Sequence, residues 1–231
     1  MKSAKRLLAR LQEPDALSVV PVPIVELDGL RLFGWDCRVQ GPPDTPLADA
    51  EGLRAFVRAK HAEERVDRAS IAAVLKAARR LPGPGALMVR VHGTTVGRDH
   101  ELLVFLSDTA VVHGVEPSRL VVEIAGQPAA WHERGFRNNL EGLKAIGARV
   151  AVAVGAGSSG RAVIECRPHY LKLGRYLSSG LRADFLRRAV VGSVSHLAQA
   201  LGARVIAEPG EDPLDLGELR AAGVELVQGL P

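Results

Sequence analysis

Short apolar runs alternate with helix-period stretches along almost the whole chain. Runs at 17–27, 31–39, 87–92, 120–124, 149–154, 170–173, 204–207 and 224–227 are short, rich in Val, Leu and Ile, and read as strands. The stretches 49–62, 66–81, 100–113, 134–146, 158–166, 183–201 and 214–222 read as helices; in the second, Ile71, Val74, Leu75 and Ala78 recur at helical spacing. Gly114, Gly147, Gly202 and Gly223 each follow a helical stretch, where a left-handed cap is wanted. Strand–helix repetition implies parallel strands joined by crossover helices. Eight strand candidates suit a closed barrel better than an open sheet, although the pattern alone admits both. The short Asp28-Gly29 turn makes the first two strands an antiparallel hairpin. Residues 1–16 are expected to form an amphipathic helix packed on a barrel of residues 17–231.

Composition narrows this picture. The 231 residues are 47% hydrophobic and only 4% aromatic, so the core must be built from aliphatic side chains. That suits strands buried on both faces. The net charge of +4 comes from arginines spread along the chain rather than from a block. Without a focused basic stripe or interleaved aromatics, nucleic-acid binding is not expected. No segment is a secretion signal or a membrane span, so a cytoplasmic protein with no membrane association is expected. Cys37 and Cys166 are far apart and read as reduced thiols. His92 and His169 have no metal-ligand spacing with any Cys or Asp, so zinc is not expected. Gly155-Ala156-Gly157-Ser158-Ser159-Gly160 opens a helix after a strand and could cradle a phosphate, but it lacks the lysine of a P-loop. Ser158 and Ser159 lack the elbow motif of a nucleophilic serine.

Six segments together resemble the EAL domain family of cyclic di-GMP phosphodiesterases. Gly34-Trp35-Asp36-Cys37-Arg38-Val39-Gln40-Gly41-Pro42 is similar to the family's G-Y-E-A-L-x-R-G-P, and Val89-Arg90-Val91-His92 falls where the family has V-N-V-S. Arg119-Leu120-Val121-Val122-Glu123-Ile124 resembles R-L-x-L-E-I. Pro168-His169-Tyr170-Leu171-Lys172-Leu173-Gly174-Arg175 follows P-D-Y-I-K-I-D-R. Val205-Ile206-Ala207-Glu208-Pro209-Gly210-Glu211 follows V-I-A-E-G-V-E, and Ala222-Gly223-Val224-Glu225-Leu226-Val227-Gln228-Gly229 follows A-L-G-V-D-L-V-Q-G. No one match is specific, but their order and spacing over residues 19–229 are the family's. The resemblance implies an α/β fold, a TIM-like β/α barrel with an antiparallel first strand and its functional groups at the C-terminal strand ends.

It also implies a site that has lost its metals. Relatives of this kind cleave cyclic di-GMP with two divalent cations on carboxylates and one Asn. Here the signature Glu is Asp36, the ligand Asn is Arg90, and the strand-end Glu is Glu123. The family's D-D-F-G-T-G turn aligns with Ala153-Val154-Gly155-Ala156-Gly157-Ser158, so both bridging aspartates are apolar. Gln40 stands for the phosphate-contacting Arg and Arg38 for the Leu. Lys172, Glu208, Glu211 and Gln228 are kept, and Gly174 replaces an Asp. Arg90 is expected to take the metal's place as counter-charge for Asp36 and Glu123, with Lys172 and Glu208 a second pair. Trp35 is expected to pack on the barrel rather than stack on a base.

The expectation is therefore an inactive module with no catalytic residue, metal or cofactor, acting through a protein partner. A receptor that binds cyclic di-GMP without cutting it is the alternative, and a homodimer is left open. The family's terminal helix is expected to be missing after Gly229, its flank covered by the N-terminal helix or by another subunit.

Overall fold

The structure is a computed structural model that describes residues 2–11, 13, 15–126, 134–155 and 160–229. The eight strands form one closed barrel in chain order: β1 (Ser18–Glu26), β2 (Leu32–Gln40), β3 (Ala86–His92), β4 (Leu120–Ala125), β5 (Arg149–Val154), β6 (Tyr170–Leu173), β7 (Arg204–Ala207) and β8 (Leu226–Gln228). β1 runs antiparallel to both of its neighbours, β2 and β8, and the other neighbouring pairs are parallel. The β1–β2 connection is longer than a two-residue turn. Glu26 N–H donates to Arg31 O at 2.9 Å, which leaves residues 27–30 as the loop. Gly29 and Leu30 both take positive φ there, +80° and +52°.

The helices are α1 (Lys2–Arg10), α2 (Ala50–Ala59), α3 (Glu63–Ala78), α4 (Gly93–Arg98), α5 (Leu102–His113), α6 (Arg134–Ala145), α7 (Gly160–Cys166), α8 (Arg175–Ser178), α9 (Phe185–Leu201) and α10 (Asp215–Ala221). Asp49 caps α2 by accepting from Glu51 and Gly52 N–H, and Asp184 caps α9 by accepting from Leu186 and Arg187 N–H. Such caps satisfy amides that the first helical turn leaves unpaired. Gly114 and Gly202 end α5 and α9 in the left-handed conformation. Gly147 and Gly223, at φ +91° and +83°, follow α6 and α10 in the same way. Leu7, Leu8 and Leu11, in and just after α1, pack with Leu47, Leu53 and Val57 in and before α2.

Two helices depart from the sequence pattern. α4 contains two glycines and two threonines, which are poor helix formers. It is held instead by Asn139 Nδ2, which donates to Val96 O at 2.9 Å and to Asp99 O at 2.8 Å. α8 is a single turn of four residues, too short for a periodic signal. The residues 156–159 considered for phosphate lie outside the described residues.

Side chains alternate between the two faces of each strand, and this period positions the site. Outward-facing Leu87, Val89, Leu120, Val122, Val150, Val152, Leu171, Leu173 and Val205 pack in the layer between strands and helices. Inward-facing Ile24, Met88, Val121, Ala151, Tyr170, Ile206 and Leu226 fill the barrel with one apolar layer. Two residues further toward the C-terminal ends, the same inner face carries Arg90, Glu123, Ala153, Lys172, Glu208 and Gln228. Asp36 occupies this level on β2. Trp35 faces out and packs against the outer core.

β2 and β3 approach so closely that a Cβ at Gly34 would lie 2.7 Å from Ala86 N and 2.8 Å from Ala86 Cβ, and nearer still to Ala86 O. The backbone of β3 cannot yield locally. Gly34→Ala is expected to destabilise the fold by about 1–3 kcal/mol, as overpacking does. Gly192→Ala in α9, where a Cβ would meet nothing within 4 Å, is expected to stabilise by roughly 0.5–1 kcal/mol. Urea denaturation of both variants checks this, and an unchanged midpoint for Gly34→Ala would refute the close approach.

Candidate functional site

The charged level at the barrel mouth is a chain of alternating charges. Glu123, 1% exposed, accepts at Oε1 from Arg90 Nε (2.9 Å) and Nη2, and at Oε2 from Lys172 Nζ (2.9 Å). Arg90 and Glu123 are direct cross-strand partners, so the β3–β4 register builds their pairing. Lys172 Nζ also donates across the barrel to Asp36 Oδ2 at 3.1 Å. The same oxygen accepts from Gln228 Nε2 at 2.7 Å and lies 3.5 Å from Arg38 Nε. Arg38 then reaches Glu208 Oε1 through Nη2 at 2.9 Å, with Arg175 Nη2 3.6 Å from that oxygen. Asp36, Glu123, Lys172 and Gln228 are buried, whereas Arg38 and Arg90 each keep more than a third of the side chain exposed.

The electrostatics follow from this geometry. Burial pushes the Glu123 carboxyl upward, but Lys172 and Arg90 together outweigh it and hold the group down to about 2. Burial pulls the Lys172 ammonium down, and Glu123 and Asp36 overcome that pull, so its pKa is raised. The charge of Glu123 raises Arg90 against a smaller effect of burial. Opposite charges at this range favour the ionised forms of all three.

Five residues selected from the sequence, Asp36, Arg90, Glu123, Lys172 and Gln228, are brought together. Their pairing differs from the expectation in two respects. Among the described residues Arg90 makes its ion pair with Glu123 alone, and Lys172, not Arg90, bridges the two carboxylates. Glu208 pairs with Arg38 and Arg175 rather than with Lys172. The reason is reach: from the centre of β6 the lysine extends into the barrel axis, while Glu208 begins just beyond β7, where Arg38 arrives from β2. Gln40 ends β2 opposite Ser18, and Glu211 is exposed in the loop after β7; neither joins the network among the described residues. Arg38 shares the inner face of β2 with Asp36, an i, i+2 relation readable in the sequence, although its link to Glu208 was not.

A second buried cluster adjoins the first. Asp67 of α3 accepts from His92 N (2.8 Å) and Thr95 Oγ1 (2.5 Å) at Oδ2, and Oδ1 lies 2.9 Å from His92 Nδ1. His92, with Arg54 and Arg90, lines two adjoining cavities of about 400 and 440 Å³ at the mouth. Among the described residues, no group of three His, Cys, Asp or Glu side chains is arranged to hold a metal ion. No described helix is long and apolar enough to cross a membrane.

An eight-stranded β/α barrel with a reversed first strand and its charged groups at the C-terminal mouth defines the class of this protein. The chain belongs to the EAL domain family, which matches residues 6–230. It is 23% identical over 209 residues to the blue light- and temperature-regulated antirepressor BluF of Escherichia coli (strain K12), covering 90% of this chain and 51% of BluF. The chain thus spans about half the length of that relative. It superposes on Klebsiella pneumoniae BlrP1, solved as a calcium and cyclic di-GMP complex, with a TM-score of 0.81 at 23% identity, over 94% of this chain and 55% of that one. The EAL domain of Xanthomonas citri FimX, in complex with cyclic di-GMP, gives 0.82 at 19% identity over 99% and 92% of the two chains. These structural likenesses establish the fold.

The buried charges give a signed pH dependence. Because the folded pKa of Glu123 lies below the unfolded value of 4.5, its contribution is full above pH 4.5 and is lost as pH falls toward 2. At pH 7, Lys172→Met is expected to cost about 3–5 kcal/mol, the range for breaking a buried pair. Arg90→Ala, whose side chain is 36% exposed, is expected to cost about 1–3 kcal/mol, between the buried and exposed ranges. Both losses shrink toward pH 3 as neutral acids cease to need a cation. Chemical denaturation at the two pH values checks this, and a larger loss for Arg90→Ala, or losses independent of pH, would overturn the assignment of Lys172 as the bridge.

Proposed function

We propose that this domain is a catalytically inactive, cytoplasmic EAL module that acts in cyclic di-GMP signalling by binding a protein partner. The observation that carries the reading is the occupation of Glu123: both of its oxygens accept from protein cations. Divalent cations need several oxygen ligands each, and an in-line displacement on two metals needs two such sets. The remaining donors do not fit that requirement. Asp36 accepts from Lys172 and Gln228, and Ala153 on β5 supplies no side-chain oxygen. The Arg90 guanidinium fixed beside Glu123 also repels a divalent ion in a weakly screened cavity.

Two observations support a protein partner. The E. coli relative is named an antirepressor. On this chain, Leu186, Val190, Leu197 and Leu201 of α9 are 61%, 43%, 41% and 40% exposed. They follow one flank of the helix at i, i+4, i+11 and i+15, while Arg188 on another flank is 3.8 Å from Glu218 of α10. An exposed apolar strip of this kind marks an interaction surface.

Incubation with cyclic di-GMP and magnesium or manganese is expected to yield no linear dinucleotide above a no-protein control. A photo-crosslinker at position 197, introduced in the producing cell, is expected to give an adduct with another protein, and one at Lys144 on α6 is not. Product that disappears in Glu123→Gln would sink the inactive reading. Tight binding of the dinucleotide without cleavage, and no adduct at 197, would make the module a receptor instead.

A further inference from the structure

We propose that the cavity between α2, β3 and β4 binds a phosphate group, free or on a small organic monoester, through Arg54, Arg58, Arg90 and His92 without a metal ion. The inference goes beyond the scaffold reading and does not depend on it: cleavage or non-cleavage of cyclic di-GMP leaves it untouched.

The first observation is an imbalance of charge. Lys172, Arg38, Arg90 and Arg175 are each within ion-pair distance of Asp36, Glu123 or Glu208. Those carboxylates are thereby neutralised within the mouth. Arg54 and Arg58, one turn apart on α2, line the same cavity as Arg90. Among the described residues no ion pair or hydrogen bond engages either of them. Arg54 is half-buried, and its pKa is lowered by that burial first and by the charge of Arg90 next, with Glu123 and Glu51 opposing at a distance and Arg58 adding to the repulsion. Three guanidinium groups crowd one cavity, and two of them make no ion pair among the described residues. Arg90 gives Nε and Nη2 to Glu123, which leaves Nη1 for a ligand. Arginine is suited to this task because its planar donors match the oxygens of phosphate.

The second observation is independent of arginine. His92 is only 9% exposed, and it lines both cavities at the end of β3. Asp67 holds the ring by Nδ1, and among the described residues no hydrogen-bond partner engages Nε2. A neutral ring accepts a hydrogen bond from a P–OH group. A ring that carries its proton on Nε2 donates to a phosphate oxygen. Phosphate serves either state because it carries both acceptor oxygens and an exchangeable hydroxyl. Sulfate and a simple carboxylate lack the hydroxyl at neutral pH.

Isothermal titration of the full chain with inorganic phosphate, in buffer containing EDTA and at constant ionic strength, tests the site. Saturable binding of one phosphate per chain is expected, with sulfate weaker. A nucleoside 5′-monophosphate titrated in parallel identifies the source: tighter binding than phosphate assigns a phosphorylated metabolite, and equal or weaker binding assigns the free ion. Arg54→Ala is expected to weaken phosphate binding at least about tenfold, close to 1.4 kcal/mol. Its melting temperature without phosphate should be unchanged or higher, since a repelling charge is removed. A merely structural Arg54 would lower that temperature and leave the phosphate affinity intact. His92→Gln is expected to weaken binding as well; should it fail to fold, Arg54→Ala carries the test alone. No saturable phosphate binding, or wild-type affinity in Arg54→Ala, overturns the proposal.

Discussion

The ammonium of Lys172 is the point on which the barrel mouth depends. It stands between two buried carboxylates, Glu123 and Asp36, that arrive from β4 and β2, on either side of β3. Taking three charges out of water is expensive, and mutual attraction repays the expense only when geometry and further hydrogen bonds are right. Arg90 and Gln228 supply those further bonds from β3 and β8. The strands β2, β3, β4, β6 and β8 are thus held by one polar network in addition to their ladders. Any slip of register in one of them would turn a charged side chain toward the apolar outer layer, so the network specifies the arrangement as well as stabilising it.

The same network explains why the mouth can be positively charged without being electrostatically unsound. Inside the ring each carboxylate has its cation. Outside it, on α2, the guanidinium groups of Arg54 and Arg58 face a cavity that already holds Arg90. Under the proposed reading, a site of this type has exchanged cations for anions as its natural ligands, because organic cations now occupy the place where inorganic ones would be coordinated. The change is distributed: Arg90 on β3 and apolar Ala153 on β5 contribute to it together.

Much of the fold could be read from the chain because most strands are short aliphatic runs, and β4, β5, β7 and β8 each follow a glycine-capped helix. The selection of Asp36, Arg90, Glu123, Lys172 and Gln228 came from the family resemblance, and a period of two carries all of them to the inner face above one apolar layer. Their pairings were not legible. Which carboxylate Lys172 meets depends on the reach of a side chain across the barrel, and Arg38 finds Glu208 over a sequence separation of 170 residues. α4 was hidden for a different reason: its Gly93, Thr94, Thr95 and Gly97 argue against a helix, and Asn139 on a distant element imposes one. The Asp67–His92 contact joins residues on α3 and β3 with no local signature at all.

The reversed first strand has a consequence for how the molecule comes to exist. The barrel is sealed where β1 meets β8, along the three pairs Ile24–Gln228, Val25–Val227 and Glu26–Leu226. This seam joins segments about as far apart along the chain as the described residues allow, and such contacts form late because a long loop must close first. Gln228 belongs to the seam and also donates to Asp36. The polar network therefore cannot be complete in any partly folded intermediate that still has an open barrel. Assembly of the site and closure of the cylinder are one event, so a chain that presents the finished mouth has already passed its slowest topological step.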